Sequence, residues 1–444
     1  MVGMWWWKNK REVRLLVHLL LPLSVHFVAE EMTKSVLVDV TTNVLCPGQS
    51  TCPEAIDLNG LQQTTVGIFK MVVLPVLGQL SDDYGRKPLL LATFSADILP
   101  FAVLAINKSK GFVYAFYVLR FVSLIFSQGS IYCIAAAYLA DVVDDNKKAT
   151  GFSWMMGLIS ASRVLGNVLA RFLPGTCFFE VAIALLIFCP VYMTLFLAET
   201  VTPAPKVDQC LPYFKKAFKL IQEQYDNIRY AASVVISSPT LKSVSLALFF
   251  YELGMSGATS TLLYYLKAAF GFDKNQFSEI LMVVDIGAVI SQLLVLPIIT
   301  PLVGEKLILC AALLSNAVYA LLFGLAWAPW VTYFIAAFGV VNVLVRPSSF
   351  ALISKAASST DQGKAQGIIL GVQSFSSLLS PLAMTPLTNL FLSRDAPFNC
   401  KGFSFVCASL SVAIALCFAF MLKPNTSKKP LEVDAEHNKA PLLS

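Results

Sequence analysis

The stretch GQLSDDYGRKP, residues Gly78–Pro88, lies between two long apolar runs, residues 60–77 and 89–106. Each run is long enough to form a membrane-spanning helix. A short polar stretch between two such helices predicts a tight turn at one face of the membrane. Gly85 permits a positive φ, and Pro88 suits the first turn of the next helix. Arg86 and Lys87 indicate that this face is the cytoplasmic one.

The composition indicates a membrane protein rather than a soluble domain. Of the 444 residues, 57% are hydrophobic and 14% are charged, whereas soluble domains carry about 25% charged residues. We attribute the net charge of +6 to cytoplasmic loops and expect no nucleic-acid partner. The sequence has no nucleotide-binding loop, no metal-ligand spacing and no nucleophile constellation, so we expect no enzyme activity, no cofactor and no metal.

About twelve apolar segments are long enough to span a bilayer, which predicts an all-α polytopic membrane protein. They lie near residues 15–40, 60–80, 89–106, 112–140, 150–172, 177–198, 243–266, 277–299, 307–327, 331–353, 366–391 and 403–422. With both termini in the cytoplasm, Lys and Arg are about three times as frequent in the inner loops as in the outer ones, which favours that orientation. We therefore expect a multi-pass protein with both termini cytoplasmic.

The longest polar break divides the chain into two sets of six segments. We expect a six-helix bundle at 1–198, a cytoplasmic central loop at 199–242, a second bundle at 243–422 and a disordered cytoplasmic tail at 423–444. Within the central loop, apolar residues recur at helical spacing among lysines. This pattern fits either a basic amphipathic helix on the membrane surface or a plain linker helix.

The stretch Gly78–Pro88 resembles the signature loop of the major facilitator superfamily, G-x-L-S-D-x-x-G-R-K-P. The surrounding sequence looks most like the tetracycline-antiporter-like branch, which includes the hippocampus-abundant-transcript-like membrane proteins. The resemblance implies two pseudo-symmetric six-helix bundles that rock about a central site. It also implies a gating motif at the inner end of the first bundle. The matching positions are Gly78, Asp82, Gly85, Arg86, Lys87 and, at the end of the fourth span, Asp141.

The two halves of the chain show signs of duplication. Gly85 and Lys87 recur at the same spacing as Gly304 and Lys306. The second copy, PIITPLVGEKL, lacks the acid and the arginine of the first. Duplication of a six-span unit is the arrangement that the resemblance implies.

Ionisable residues inside the predicted spans point to the site. Each unpaired charge near mid-bilayer costs about 2.5–3.5 kcal/mol, so these residues either form buried ion pairs or line a wet cavity. By the resemblance, every one except Asp97 lies in a span that surrounds the central cavity. We predict a substrate and proton cavity lined by Glu30, Glu31, Lys34, Lys70, Arg120, Arg163, Glu252, Asp285 and Arg346.

Several roles follow from spacing and from the resemblance. Glu30 and Lys34 are four residues apart in one helix, which predicts a local ion pair. By the resemblance, Arg120 lies roughly where the major facilitator superfamily has an arginine that is linked to proton transfer. We favour Glu31 and Asp285 as proton carriers. Five bases against four acids in the cavity favour an anionic or zwitterionic solute. The histidines are interpreted as packing or solvated residues.

The leading hypothesis is a proton-coupled secondary transporter or antiporter for a small organic solute, working as a monomer in the bilayer. The alternative is a receptor or scaffold that keeps a transporter fold without transport. A channel is disfavoured because acids and bases are mixed in the predicted cavity. Cys46 and Cys52, in the first outer loop, form either a disulfide or two free thiols.

Overall fold

A computed structural model of the chain describes residues 10–49, 51–143, 148–174, 177–200, 233, 235–356, 362–393 and 396–422. Within these residues the protein is helical and contains no strand. The α-helices are α1 Lys10–Leu45, α2 Pro53–Tyr84, α3 Arg86–Ala96, α4 Ile98–Ile106, α5 Lys110–Ser127, α6 Ser130–Val142, α7 Lys148–Phe172, α8 Phe178–Phe196, α9 Pro239–Phe270, α10 Lys274–Ile290, α11 Leu296–Val303, α12 Glu305–Gly324, α13 Pro329–Phe338, α14 Val345–Ala356, α15 Gln362–Leu392 and α16 Phe403–Phe420.

Several helices continue one another across short breaks near mid-depth. The breaks are Asp97 between α3 and α4, Gln128–Gly129 between α5 and α6, a π-helical turn Ser291–Val295 after α10 and a 3₁₀ turn Gly339–Leu344 after α13. Joining the helices across these breaks gives twelve helical segments in the described residues, which is consistent with the predicted number of spans. Eight of these segments are long and apolar enough to cross a membrane.

The helices pack as two bundles, one before residue 200 and one after residue 235. In the first bundle α1 packs against α7 and α8, and in the second α9 packs against α15 and α16. The two bundles meet where α7 packs on α10 and where α2 packs on α15. The all-α polytopic membrane fold expected from the sequence is confirmed.

The buried apolar side chains show which end of the molecule is closed. We call the end with Cys46 and Cys52 the outer end and the end with residues 78–88 the inner end, after the predicted orientation. At the outer end one core contains residues of both bundles, such as Met32 and Tyr265. At the inner end the described core residues form two separate clusters, one in each bundle. The structure is therefore closed at its outer end.

The first outer loop contains a disulfide. Cys46 and Cys52 are bonded, with their Cα atoms 5.5 Å apart. Of the two outcomes left open by the sequence, the structure thus has the disulfide. The bond ties the end of α1 to the start of α2, two helices that both take part in closing the outer end.

Two of the predicted polar segments, the central loop 199–242 and the tail 423–444, lie largely outside the described residues, and the domain boundaries stay predictions. The amphipathic helix expected in the central loop falls within residues 201–232, and the expected disordered tail is residues 423–444; both lie outside the described residues. The second bundle begins with Pro239, four residues before the predicted boundary, and the Ser238 side chain caps the helix by accepting from the Leu241 N–H at 3.4 Å.

The duplication expected from the sequence is visible in the backbone. Gly85 and Gly304 have nearly the same conformation, with φ and ψ of 105° and 154° at the first and 83° and 151° at the second. The lysine that follows each glycine also repeats its contact. Lys87 Nζ donates to a carbonyl in the last turn of α8 at 2.9 Å. Lys306 Nζ donates to the carbonyl of the last residue of α16 at 3.2 Å.

Candidate functional site

The signature loop forms an ion pair inside the first bundle. Arg86 Nε donates to Asp141 Oδ2 at 3.1 Å, and Arg86 Nη1 donates to Ser81 Oγ at 2.5 Å. The structure thus brings Arg86 and Asp141 together, while Gly78 and Asp82 lie near the C-terminal end of α2, at positions whose side-chain contacts the structure does not describe. The pair is formed although the inner ends of the two bundles have separate cores. It therefore does not itself join the bundles in this conformation.

Glu199 completes this loop and was missed by the sequence interpretation. Its Oε1 accepts the Arg86 N–H at 2.9 Å, and its Oε2 accepts the Lys87 N–H at 3.1 Å. A carboxylate in this position satisfies free N–H groups at the start of α3 and interacts favourably with the helix dipole. Glu199 is 113 residues from Arg86. No local pattern could have identified it, since only the packing of α8 on α3 brings the two together.

A buried cluster surrounds Arg120 near mid-depth. Arg120 donates to Asp97 Oδ1 at 2.8 Å and to Glu30 Oε1 at 2.5 Å. Ser123 and Ser127, on the same face of α5 as Arg120, also donate to Asp97 Oδ1. Helix α5 thus has a polar face, and the acceptor for its donors is Asp97. We call Glu30, Asp97 and Arg120, together with His26, the Arg120 cluster.

One expectation about the Arg120 cluster is corrected. Asp97 was placed outside the set of interacting charges, but it lies at the break between α3 and α4 and is the fully buried acid of the cluster. His26 Nε2 lies 3.6 Å from Asp97 Oδ2, while its ring also packs on Phe94. Ligand atoms of His26, Glu30 and Asp97 lie within 4.8 Å of one another. Arg120 donates to both carboxylates of this group, Glu30 and Asp97.

The predicted pair between Glu30 and Lys34 is wrong. Lys34 Nζ donates instead to Glu31 Oε2 at 2.6 Å, because Glu30 binds Arg120. Adjacent residues of an α-helix point about 100° apart, so Glu30 and Glu31 contact different neighbours. Glu30 meets α5, and Glu31 meets α7, where Arg163 Nε lies 3.9 Å from its Oε2.

A second group of charges lies where the two bundles meet. Asn167 on α7 donates to Asp285 Oδ2 on α10 at 2.9 Å, which is a direct bond between the bundles. Glu31, Lys34 and Arg163 act electrostatically on Asp285. We call these five residues the Glu31 cluster. The structure thus places both favoured proton carriers, Glu31 and Asp285, in one group.

The remaining predicted site residues form a third group. Arg346 Nη2, at the start of α14, donates to Glu252 Oε1 on α9 at 2.9 Å. Lys70 belongs to the other bundle, on α2, and is half-buried. Arg346 repels it electrostatically. The turn of α2 before Lys70 packs on Leu378 of α15, and α15 also bonds to the turn of α9 that carries Glu252, the partner of Arg346. Helix α15 thus connects the surroundings of Lys70 with those of Arg346 in the second bundle.

The outer end is closed by polar contacts between the bundles that the sequence did not predict. Lys267 Nζ on α9 donates to Asp39 Oδ1 at 2.5 Å and to Asn43 Oδ1 at 3.1 Å on α1. Further contacts between the bundles are Arg171 to Glu279 at 2.6 Å, Ser278 to Ser35 at 2.9 Å, Lys274 to the Leu173 carbonyl at 2.8 Å and Asn389 to Asp57. These contacts involve the ends of six helices that are distant in sequence, and only the tertiary structure brings them together.

Removing Lys267 should loosen this closure. Lys267→Gln takes away one partly buried ion pair between the bundles, worth about 1 kcal/mol, so the ratio of closed to open molecules should fall about fivefold. Hydrogen exchange of the outer ends of α1 and α9 measures the opening, and we expect it to become faster. Lys110→Gln is the matched control, because Lys110 pairs with Glu54 at the outer end within a single bundle. Equal exchange in the two variants would contradict the prediction.

Comparison with known proteins agrees with this arrangement. The sequence profile of the Major Facilitator Superfamily matches residues 55–381 and 244–444. Hippocampus abundant transcript-like protein 1 from Homo sapiens is 24% identical over 330 residues, which is 73% of this chain. The chain matches 62% of that protein's length, less than two thirds. Tetracycline resistance protein, class C, from Escherichia coli is 22% identical over 74% of this chain and 79% of its own.

Solved structures share the fold at low sequence identity. The human organic anion transporter MFSD10 (TETRAN) superposes with a TM-score of 0.62 and 18% identity, over 93% of this chain and all of its own. A bacterial homologue of the human lysosomal transporter Spinster, solved in an inward-facing and unoccupied conformation, superposes with a TM-score of 0.63 and 14% identity, over 94% and 98% of the two chains. At these identities the likeness concerns the fold alone.

Proposed function

Because the chain belongs to the major facilitator superfamily, we propose that it is a secondary active transporter that moves a small organic solute by alternating access and couples this movement to protons. One observation carries the proposal: at mid-depth the Asn167 amide of one bundle bonds to the Asp285 carboxylate of the other, below an outer end that is closed by contacts between the bundles. A structural ion pair would need only one acid and one base, whereas three groups of charges are present here.

Alternating access needs contacts that form and break as the bundles rock. The outer end supplies such contacts, since its ion pairs and side-chain hydrogen bonds join residues of different bundles. Lys267 and Arg171 each bind an acid of the other bundle. Partly exposed pairs of this kind are worth little individually, so water can replace them at low cost when the outer end opens.

Proton coupling is supported by the way Arg120 is shared. It binds two carboxylates, Glu30 and Asp97, whose side chains are 25% and 1% exposed. Proton uptake by the more accessible Glu30 leaves Arg120 paired with Asp97, so the buried acid keeps its counter-charge. The cluster can therefore take up a proton without leaving the buried charge of Asp97 unpaired in the membrane.

Asp285 offers a route from protonation to movement. As a carboxylate it accepts a hydrogen bond from Asn167 of the other bundle. A proton on Asp285 removes its charge and weakens that charge-assisted bond. Protonation of Asp285 thus changes a contact between the bundles, which is what coupling of protons to alternating access requires.

The test uses the purified chain in liposomes that hold a pH-sensitive dye. Pools of organic anions, amphipathic cations, sugars and amino acids are added in turn to vesicles with an imposed pH gradient. We expect one pool to collapse the gradient, and we expect Glu31→Gln and Asp285→Asn to abolish this response. Glu54→Gln is the control, because Glu54 is an acid of the outer end that pairs within one bundle.

Two results would count against the proposal. Tracer uptake that is unchanged in Glu31→Gln and Asp285→Asn would show transport without coupling through these acids. No dye response and no tracer uptake from any pool would favour the non-transporting receptor or scaffold. Because one chain contains both bundles of the site, we propose that the monomer suffices, and reconstitution at one chain per vesicle should keep the activity.

A further inference from the structure

In the second and third groups of charges, Glu31 and Glu252 are buried and the bases beside them are exposed. The side chain of Lys34 is 52% exposed, while that of its partner Glu31 is 7% exposed. The side chain of Arg346 is 65% exposed, while that of Glu252 is 8% exposed. Arg163, which also lies beside Glu31, is 48% exposed. The bases of these groups are therefore more exposed than the acids they pair with. The accessible charge at mid-depth is positive, although the net charge of the groups is close to zero.

Lys70 adds to this positive surface. Its side chain lies against Gly129, at the break between α5 and α6, where a Cβ atom would be 2.8 Å from Lys70 Cε. Among the side chains that the structure describes, no carboxylate pairs with Lys70, because Glu252 is bound by Arg346. Arg346, in the opposite bundle, carries a charge of the same sign and repels Lys70. A lysine held at mid-depth against another base is costly unless something else supplies the counter-charge.

We infer that Lys70 and Arg346 form a binding site for the anionic group, a carboxylate or a phosphate, of the transported solute, with one base supplied by each bundle. This inference rests on the proposed function and names its substrate class. Arg346 uses one of its five N–H donors on Glu252, so further donors remain for a carboxylate or phosphate oxygen. The Lys70 ammonium supplies up to three donors from the opposite side.

Binding at this site would couple the solute to the movement of the bundles. In the empty protein Lys70 and Arg346 repel each other and so oppose close approach of the two bundles. An anion between them replaces that repulsion by two charge-assisted hydrogen bonds. The solute therefore binds best to the state in which both bases reach it, and this difference in affinity shifts the population toward that state.

The test compares solutes of similar shape and different charge on the purified full chain. The probes are benzoate, glutarate and phenyl phosphate as anions, benzamide and glutaramide as neutral amides, and benzylamine as a cation. Tracer uptake is measured in liposomes, and the temperature of unfolding is measured in detergent with each probe. We expect uptake and a raised unfolding temperature with one or more anions only. Lys70→Gln and Arg346→Gln should each lower anion affinity about 10- to 100-fold, as loss of a hydrogen bond between charged groups does.

The control and a second readout separate binding from folding. Lys110→Gln removes a lysine at the outer end and should leave anion affinity unchanged. Without any probe, Lys70→Gln should unfold at or above the temperature of the parent, because it removes a repelled charge; a lower temperature would make Lys70 a structural residue. Lys70→Arg should restore most of the anion affinity.

Each remaining result decides between the two proposals. Transport of the amides or the amine, with no anion effect, would leave the transporter standing and overturn the anion site. An anion-dependent rise in unfolding temperature that Lys70→Gln abolishes, without transport of any probe, would keep the anion site and count against transport. No uptake and no change in unfolding temperature with any of the anions would overturn the anion site.

Discussion

The variant Arg120→Gln is expected to lose about 3–5 kcal/mol of stability, because removing one partner of a buried ion pair leaves an uncompensated charge. The uncompensated charge would be that of Asp97, whose side chain is 1% exposed. Among the residues that the structure describes, its only cationic partner is Arg120, apart from the His26 ring at 3.6 Å. Ser123 and Ser127 would still donate to it. Two neutral hydroxyls do not replace a guanidinium.

Thermal unfolding of the purified protein in detergent measures this loss. The double variant Asp97→Asn with Arg120→Gln removes both charges and should recover a large part of the stability that Arg120→Gln loses. Such a recovery is the signature of an interaction between the two residues rather than two separate defects. If Arg120→Gln unfolded at the temperature of the parent, or if the double variant were no more stable, the buried pair would not have the role assigned to it.

Gly85→Ala is expected to have the second largest effect, and Gly304→Ala provides its matched control. Both glycines combine a positive φ with an extended ψ, a region that other residues adopt only at a cost of about 1–3 kcal/mol. The surroundings differ. A Cβ atom at Gly85 would lie 2.5 Å from Glu199 Oε2, whereas none of the described atoms lies within 4 Å of a Cβ atom at Gly304. Gly85→Ala should therefore cost about 1 kcal/mol more, from displacement of the carboxylate at the start of α3.

Unfolding temperatures of the two alanine variants give the comparison directly. Adding Glu199→Ala to each variant sharpens it, because this change removes the carboxylate that the new methyl group would displace. The difference between the two glycine positions should then shrink. A Gly304→Ala variant as unstable as Gly85→Ala would show that backbone strain alone explains both, and that Glu199 contributes nothing to this end of the bundle.

The sequence alone determined the class of fold and predicted most of the charged residues that the structure brings together in groups. Apolar segments of membrane length predicted a polytopic helical protein because the bilayer requires about 20 apolar residues for each span. Charges inside those segments predicted a site because an ionisable residue is costly in hydrocarbon unless it has a partner or water. The repeat of Gly85 and Lys87 as Gly304 and Lys306 was readable for a similar reason, since a backbone conformation that only glycine tolerates leaves a mark in the sequence.

The tertiary structure alone decided which charges pair. Helical spacing predicted an ion pair between Glu30 and Lys34. In the structure Glu30 instead pairs with Arg120 on another helix, and Lys34 pairs with Glu31. The spacing of residues within one helix cannot predict which base pairs with an acid when the competing base is distant in sequence. Glu199 at the signature loop and Lys267 at the outer end depend on the same kind of long-range contact. The exposure of Arg346 above a buried Glu252 was equally invisible in the sequence. Which member of an ion pair faces the cavity depends on how neighbouring helices cover it, and that is a property of the packed bundles.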